Sequence, residues 1–302
     1  VRKTTAAFSA LALSALALTG CSTAPGADAA GCVRDDSAAL RMAVNADGEI
    51  GAARVSLTTP VPTSHVIYDD LVVGDGPAVR EAAQDVVGVV TLLSGTTGQV
   101  LQTGAVIWSP KTLDELLGAG GSALECATEG SRVAFAIPAA DLPEGLAEQA
   151  GLDAHGSLVG SIDIQTVLLP KAEGRDVFND ARGLPTVVRA PDGRPGIIIP
   201  DTAAPSKVVT QTLIAGQGAK VGDGTAMFDY TAVSWADRTV TGSSWESGVV
   251  YDATTLPEQV MEQVAEATVG SQLLVVVPGD QGAAVAYVVD VLGILPPELV
   301  RG

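Results

Sequence analysis

The sequence predicts an α+β protein made of two tandem copies of one domain. Three observations lead there. Short runs rich in Val, Ala, Leu and Ile are separated by Gly, Pro and Asp, the mark of strands joined by turns. Between these runs lies a segment with helical rather than alternating apolar spacing. The chain also repeats itself, and that decides the architecture. Residues 64–79, SHVIYDDLVVGDGPAV, match residues 206–221, SKVVTQTLIAGQGAKV, at both serines, Val66/Val208, Leu71/Leu213, Gly74/Gly216, Gly76/Gly218 and Val79/Val221. Residues 127–138, ATEGSRVAFAIP, match residues 267–278, ATVGSQLLVVVP, at Ala, Thr, Gly, Ser and Pro. Both pairs occur in the same order at nearly the same separation.

In the second copy, strands are expected at 208–214, 226–233, 272–277 and 284–292, with a helix near 257–267. Pro257 suits the first helical turn, where its missing N–H costs nothing. Val260 and Val264, four apart, give the helix an apolar stripe against the sheet. Gly270 is placed to end it in a left-handed conformation. Residues 171–205, with Gly183, Pro185, Asp192-Gly193, Pro195 and Pro200-Asp201, read as a semi-rigid linker in which 197–199 adds an edge strand. The domain expectation is therefore 32–170, a linker at 171–205, and 206–302.

Ahead of these, Arg2 and Lys3 precede an apolar run at 6–18 that is too short to cross a bilayer comfortably. It ends in Leu18-Thr19-Gly20-Cys21. This looks like a bacterial lipobox, with residues 1–21 as the signal and Cys21 as the lipidated first residue of the mature protein. An ordinary signal peptide with a chance cysteine is the alternative. Residues 22–31 read as a tether. The expectation is an extracytoplasmic protein held to the cell membrane by lipid alone.

The formal charge is −18, with aromatics at only 4%, and loss of Arg2 and Lys3 with the leader makes the mature chain more acidic still. Such a surface repels phosphate backbones and anionic headgroups, so no nucleic-acid partner is expected. With Cys21 assigned to lipid, Cys32 and Cys126 form an even pair in an oxidising compartment. They read as one disulfide or, alternatively, as two buried free thiols. His65 and His155 have no metal-ligand spacing, and neither a Gly-x-Ser-x-Gly elbow nor a phosphate loop occurs. No metal or cofactor is expected.

The second copy resembles the FKBP-type peptidyl-prolyl isomerases. The resemblance rests on Gly216-Gln-Gly218, Val221-Gly222-Asp223-Gly224, Tyr230-Thr231, Ser243-Ser244-Trp245, Val269-Gly270-Ser271, Val275-Val276-Val277-Pro278 and Tyr287-Val288-Val289-Asp290-Val291-Leu292. After residue 32 the chain is similar throughout to actinobacterial lipoproteins with two FKBP-like domains. In those, an early cysteine such as Cys32 accompanies one in a motif like Ala123-Leu124-Glu125-Cys126-Ala127-Thr128. The resemblance implies, for each copy, an antiparallel twisted sheet wrapped on one short helix. It also implies isomerase activity on proline-containing segments of exported proteins.

Amide rotation meets a barrier of ~18–20 kcal/mol because the twisted state loses resonance. Catalysis needs neither nucleophile nor metal. It needs an apolar pocket that desolvates the amide and binds the twisted form best. Carried over residue by residue, the resemblance assigns catalytic places to Tyr230, Leu256, Val260 and Tyr287, and substrate-binding places to Thr241 and Trp245. Several places depart from the family. Thr241-Gly242 stands where a Phe-Asp pair belongs, Leu256-Pro257 replaces a Val-Ile pair and removes its N–H donor, and Val260 replaces an aromatic floor. The flap after Pro278 is nearly gone. The first copy has Val90 at the tyrosine place and no aromatic floor in its helix region, but keeps a long loop at 141–155. It reads as a support or partner-binding domain. The tyrosines also fit as plain sheet aromatics, and Trp235 and Trp245 as packing residues. The expected function is therefore a weak FKBP-type isomerase, with a non-catalytic binding or chaperone lipoprotein as the alternative.

Overall fold

The computed structural model describes residues 34, 37–179, 182–279, 283–297 and 299. The leader, the tether, Cys21 and Cys32 lie outside the described residues. Four short strands, β1 (Val44–Asp47), β2 (Arg54–Leu57), β9 (Thr186–Arg189) and β10 (Pro195–Ile198), form two separate hairpins. The others form two antiparallel sheets. The first contains β3 (Ile67–Val72), β4 (Val86–Ser94), β5 (Val100–Trp108), β6 (Arg132–Pro138) and β7 (Ser157–Val167). The second contains β8 (Gly174–Asp176), β11 (Val209–Gly216), β12 (Thr225–Ser234), β13 (Val240–Ser243), β14 (Gln272–Pro278) and β15 (Ala284–Leu295). Spatial order is β3-β6-β7-β4-β5 in one and β13-β12-β15-β14-β11-β8 in the other. Without β8 the two orders are the same, so the α+β reading and the repeat both hold.

The matching motifs hold one turn together in each copy. Thr128 donates its hydroxyl to the Gly74 carbonyl at 2.9 Å, and Ser131 Oγ accepts the Gly74 N–H at 2.9 Å. Thr268 and Ser271 repeat this on Gly216 at 3.0 and 3.1 Å. Side chains are excluded at both glycines: a Cβ would meet the Glu129 carbonyl at 2.0 Å in one copy and that of Val269 at 2.3 Å in the other. Gly270, at φ +92°, belongs to this turn and does not end the helix. The chain is already extended at Ala267, whose carbonyl accepts the Val221 N–H at 3.0 Å.

One face of each sheet packs on a helix. Helix α2 (Pro110–Leu117) starts at Ser109, whose Oγ accepts the Thr112 N–H at 3.1 Å, and stops at Gly118, φ +77°. It buries Leu113 and Leu117. Its counterpart in the second copy is α4 (Glu258–Glu266), which buries Val260 and Val264 at the predicted spacing. Each opposite face is covered by a hairpin. Helix α1 (Ala38–Ala43) and β1–β2 put Leu40, Val44, Val55 and Leu57 against Ala134, Ala136 and Val159. In the second copy, Val187, Ile197 and Ile199 lie against Leu274, Val276, Ala286 and Val288. Residues 171–205 are thus more than a linker. Strands β14 and β15 are apolar on both faces, so each face needs cover; β9–β10 provides it on one side while β8 adds an edge strand. The strand expected at 197–199 appears as β10, in the hairpin and not in the main sheet.

The copies meet along an apolar seam in which Val87 and Leu168 touch Met227, Leu292 and Leu295. The Leu169 N–H donates to the Leu292 carbonyl at 3.0 Å.

Candidate functional site

In the second copy, Tyr230 on β12 and Tyr287 on β15 join Leu256 and α4's Val260 in one apolar cluster with Phe228 and Val275. Burial, and secondarily the nearness of Tyr230, raises the Tyr287 hydroxyl above its ordinary pKa. The structure therefore brings the four assigned catalytic residues together, the two tyrosines half-buried and the two aliphatic residues buried. Val260 is 0% exposed and Leu256 5%. Pro257 flanks the helix start in extended backbone, φ −55° and ψ 145°. Thr241 is exposed on β13, outside the cluster. Trp245 lines the seam between the copies, where its indole Nε1–H is buried without a partner among the described residues.

In the first copy the counterparts of Tyr230 and Val260, Val90 and Leu113, are fully buried, and an opening lies beside them. A cavity of 460 Å³ lies between β5, α2 and the short helix α3 (Leu146–Gln149). Leu92, Leu101, Val106, Trp108, Leu117 and Leu158 supply its apolar wall, and Leu116, Leu146 and Ala150 complete it. Gln102 and Gln149 are the only polar side chains in the lining. The 141–155 loop forms one side. Its buried Leu142 and Leu152 hold it to the first core, and the Ala139 N–H ties its base to the Gly156 carbonyl at 2.9 Å.

Register explains why the copies differ. Val90 faces Ile162 where Tyr230 faces Val289. Phe135 faces Gly160 across β6 and β7, where Val275 faces Tyr287. A Cβ on Gly160 would lie 2.1 Å from the Phe135 ring. Each copy thus carries one aromatic at this cross-strand pair, on β6 in the first copy and on β15 in the second. Val90, at the place of Tyr230, is fully buried in the first core and does not line the cavity. The cavity residues were not singled out from sequence. The available signals were the long loop kept only by the first copy, and Trp108 directly before the helix cap.

A polar region lies on the seam. Asp85 from the first copy and Asp229 from the second line one cavity of 390 Å³ with Ser244 and Trp245. Burial, then the charge of Asp229, pushes Asp85 from 3.8 up to about 6. Burial also raises Asp229, against the Ser244 hydroxyl that donates to it at 2.6 Å. The Asp85 carboxylate has no hydrogen bond or ion pair among the described residues. No group of three or more acidic, His or Cys side chains among those residues is placed to hold a metal.

Cys126, at φ +61°, is disulfide-bonded. Beside it, Arg34 pairs with both Asp70 oxygens at 2.6 Å and donates to the Ala123 carbonyl at 2.9 Å and to that of Glu125. Its guanidinium lies 5.0 Å from the centre of the Tyr68 ring. The chain just after Cys32 is therefore fastened next to Cys126.

No protein-family model matches the chain, and no curated protein matches it in sequence. Among solved structures it is similar to the three FKBP domains of wheat FKBP73, at 16% identity over 76% of this chain and 94% of that one, with a TM-score of 0.35. It is also similar to a peptidyl-prolyl cis-trans isomerase from Pseudomonas syringae, at 19% identity over 35% of this chain and 77% of that one, TM-score 0.26. FKBP12 from Mycobacterium tuberculosis is 17% identical over 34% of this chain and 85% of that one, TM-score 0.27.

Proposed function

We propose that this chain works outside the cytoplasm, anchored by lipid on Cys21. There it acts as an FKBP-type protein that binds proline-containing segments of exported polypeptides and isomerises them slowly. The observation that carries this reading is the apolar cavity between β5, α2 and α3. A prolyl ring or neighbouring apolar side chain inserted there leaves water, and the twisted amide loses less solvation than a planar one. The two glutamine amides at the cavity can hydrogen-bond peptide groups without demanding a charge. Turnover is slow because neither copy presents a full set of polarising groups.

Pro257 and the fully buried Val260 favour a second reading for the second copy. With no N–H at that place and no open floor, it acts as a non-catalytic scaffold that braces the first. A prolyl isomerisation assay on the full mature chain, with peptide binding measured in parallel, tests both readings. Acceleration that disappears in Leu146→Asp, with Tyr230→Phe unaffected, supports turnover in the first copy. Binding without acceleration moves the protein to the non-catalytic class. If the folded wild-type protein does neither, the reading is wrong.

A further inference from the structure

We infer that Asp85, Asp229 and Asp290 form a pH-sensitive latch between the two copies, which closes in acid and loosens as the pH rises. Asp229 and Asp290 stand directly opposite each other on β12 and β15, so their side chains share one face at a separation where like charges repel. The first copy avoids this arrangement. There the same register position sets Asp163 against Val89, and Arg132 neutralises it. In the second copy Gln272 takes the arginine's place and brings no charge. Asp85, from the first copy, adds a third carboxylate across the seam, in the cavity that Asp229 also lines. Asp290 accepts the Ala172 N–H and the Gln272 amide, and Asp229 accepts the Ser244 hydroxyl. Asp85 has no donor among the described residues, so it is the carboxyl best able to keep a proton. The other ionisable groups lining this cavity and the one beside it are Glu81, Lys111, Glu115, Asp192, Glu246 and Tyr251. Lys111 is largely exposed and 3.7 Å from Glu115, and Arg194 is held by Glu246 at 2.9 Å. Arg189 softens the charge on Asp290 from a distance while bonded to Gln272 and Asp176.

Burial, then the charge of Asp229, lifts Asp85 to about 6, and burial lifts Asp290 to about 6 against the hydrogen bonds it accepts. Three carboxyls this close titrate as a set, so the window belongs to the row. When the copies part, Asp85 regains water and loses the facing carboxylates, and its pKa falls back towards 3.8. The docked state therefore holds a proton that the open state releases. Docking is tightest below about 4, weakens as pH rises through the 4–6 window and stays weakened above it. The seam is small enough to respond. Its apolar contact is made by Val87, Leu168, Met227, Leu292 and Leu295, and cavities of 390, 480 and 660 Å³ border it. Domains joined across so little apolar surface move relative to one another. The latch is independent of any peptide in the first-copy cavity.

Amide hydrogen exchange on the full mature chain tests this, because the Leu169 N–H donates to the Leu292 carbonyl across the seam and is freed when the copies part. Comparison with Asp85→Asn cancels the intrinsic pH dependence of exchange. At about pH 7.5 the wild-type Leu169 amide should exchange about tenfold faster than in the variant, as the raised proton affinity of Asp85 implies once the share arising within the first copy is discounted. Near pH 4 the two should coincide. Asp229→Asn, which removes the facing charge and can still accept from Ser244, should also slow this exchange at the higher pH. Throughout, amides at the centres of β7 and β15 should stay more protected than Leu169, since opening the seam leaves both sheets intact. A ratio near one at every pH overturns the latch. So does a Leu169 amide that exchanges only together with β7 and β15, because the opening is then unfolding of the whole chain.

Discussion

Arg132 and Asp163 form a two-pronged ion pair inside the first sheet, Nε to Oδ1 at 2.6 Å and Nη2 to Oδ2 at 2.9 Å. The same register positions in the second sheet hold Gln272 and Asp290, joined from Nε2 to Oδ1 at 2.7 Å. Each aspartate also fastens the covering segment of its own copy. Asp163 accepts the Gly51 N–H at 2.7 Å, and Asp290 the Ala172 N–H at 3.0 Å. Arg132 further donates to the carbonyls of Ala46, Gly48 and Glu49 in the first hairpin.

Removing this arginine should be costly. Arg132→Met leaves the Asp163 carboxylate buried without its counter-ion, holding only the Gly51 N–H, a loss of about 3–5 kcal/mol. Arg132→Gln reproduces the second copy's pairing and should lose clearly less. Urea unfolding of both variants checks the order. Equal losses would mean that the two pairs are not equivalent.

Asp85 predicts a pH dependence. Its folded pKa, about 6, stands above its ordinary 3.8, so the folded state holds the proton more tightly than the unfolded one. The penalty from its charge is absent below about 4, grows as pH rises through the 4–6 window and is complete above it. Asp85→Asn should therefore stabilise the protein by about 1–3 kcal/mol at pH 7–8 and converge with wild type near pH 4. Denaturant titrations at four pH values test this; a constant difference across that range would refute it.

Val260 is a core residue in this structure. Val260→Ala should cost about 1–3 kcal/mol in stability and leave peptide binding by the first copy intact. Loss of binding without loss of stability would move the site to the second copy.

Cys21→Ala should shift the protein from the membrane fraction to the medium. Cell fractionation reads this directly, and a variant that stays with the membrane would remove the lipid-anchor proposal.

Cys126 is disulfide-bonded, and we propose Cys32 as its partner. The bridge would close a loop of roughly ninety residues, worth about 4 kcal/mol in chain-entropy terms. Peptide mapping of the unreduced protein should recover residues 32 and 126 in one fragment. Recovery of Cys126 with any other thiol would refute the pairing.

The sequence alone determined the repeat, the α+β class and the place of helix α4. Those signals are local: a Thr and a Ser three apart that bind a turn glycine, two valines four apart, apolar runs ended by proline. That Tyr230 and Tyr287 share one face is an implication of the family resemblance, and it is the tertiary structure that sets their strands side by side. Whether a cleft is open depends instead on volume, and volume is shared among residues distant in sequence. In the second copy Leu256 and Val260 are buried in the core, whereas the first-copy cavity is bounded by β5, α2 and residues of the 141–155 loop. Trp245 was assigned to the substrate but faces the seam, a surface that exists only once the two copies dock. Residues 171–205 looked like a linker because their turn residues are conspicuous. Their role as cover became visible only when β14 and β15 showed two apolar faces, each of which must be kept from water.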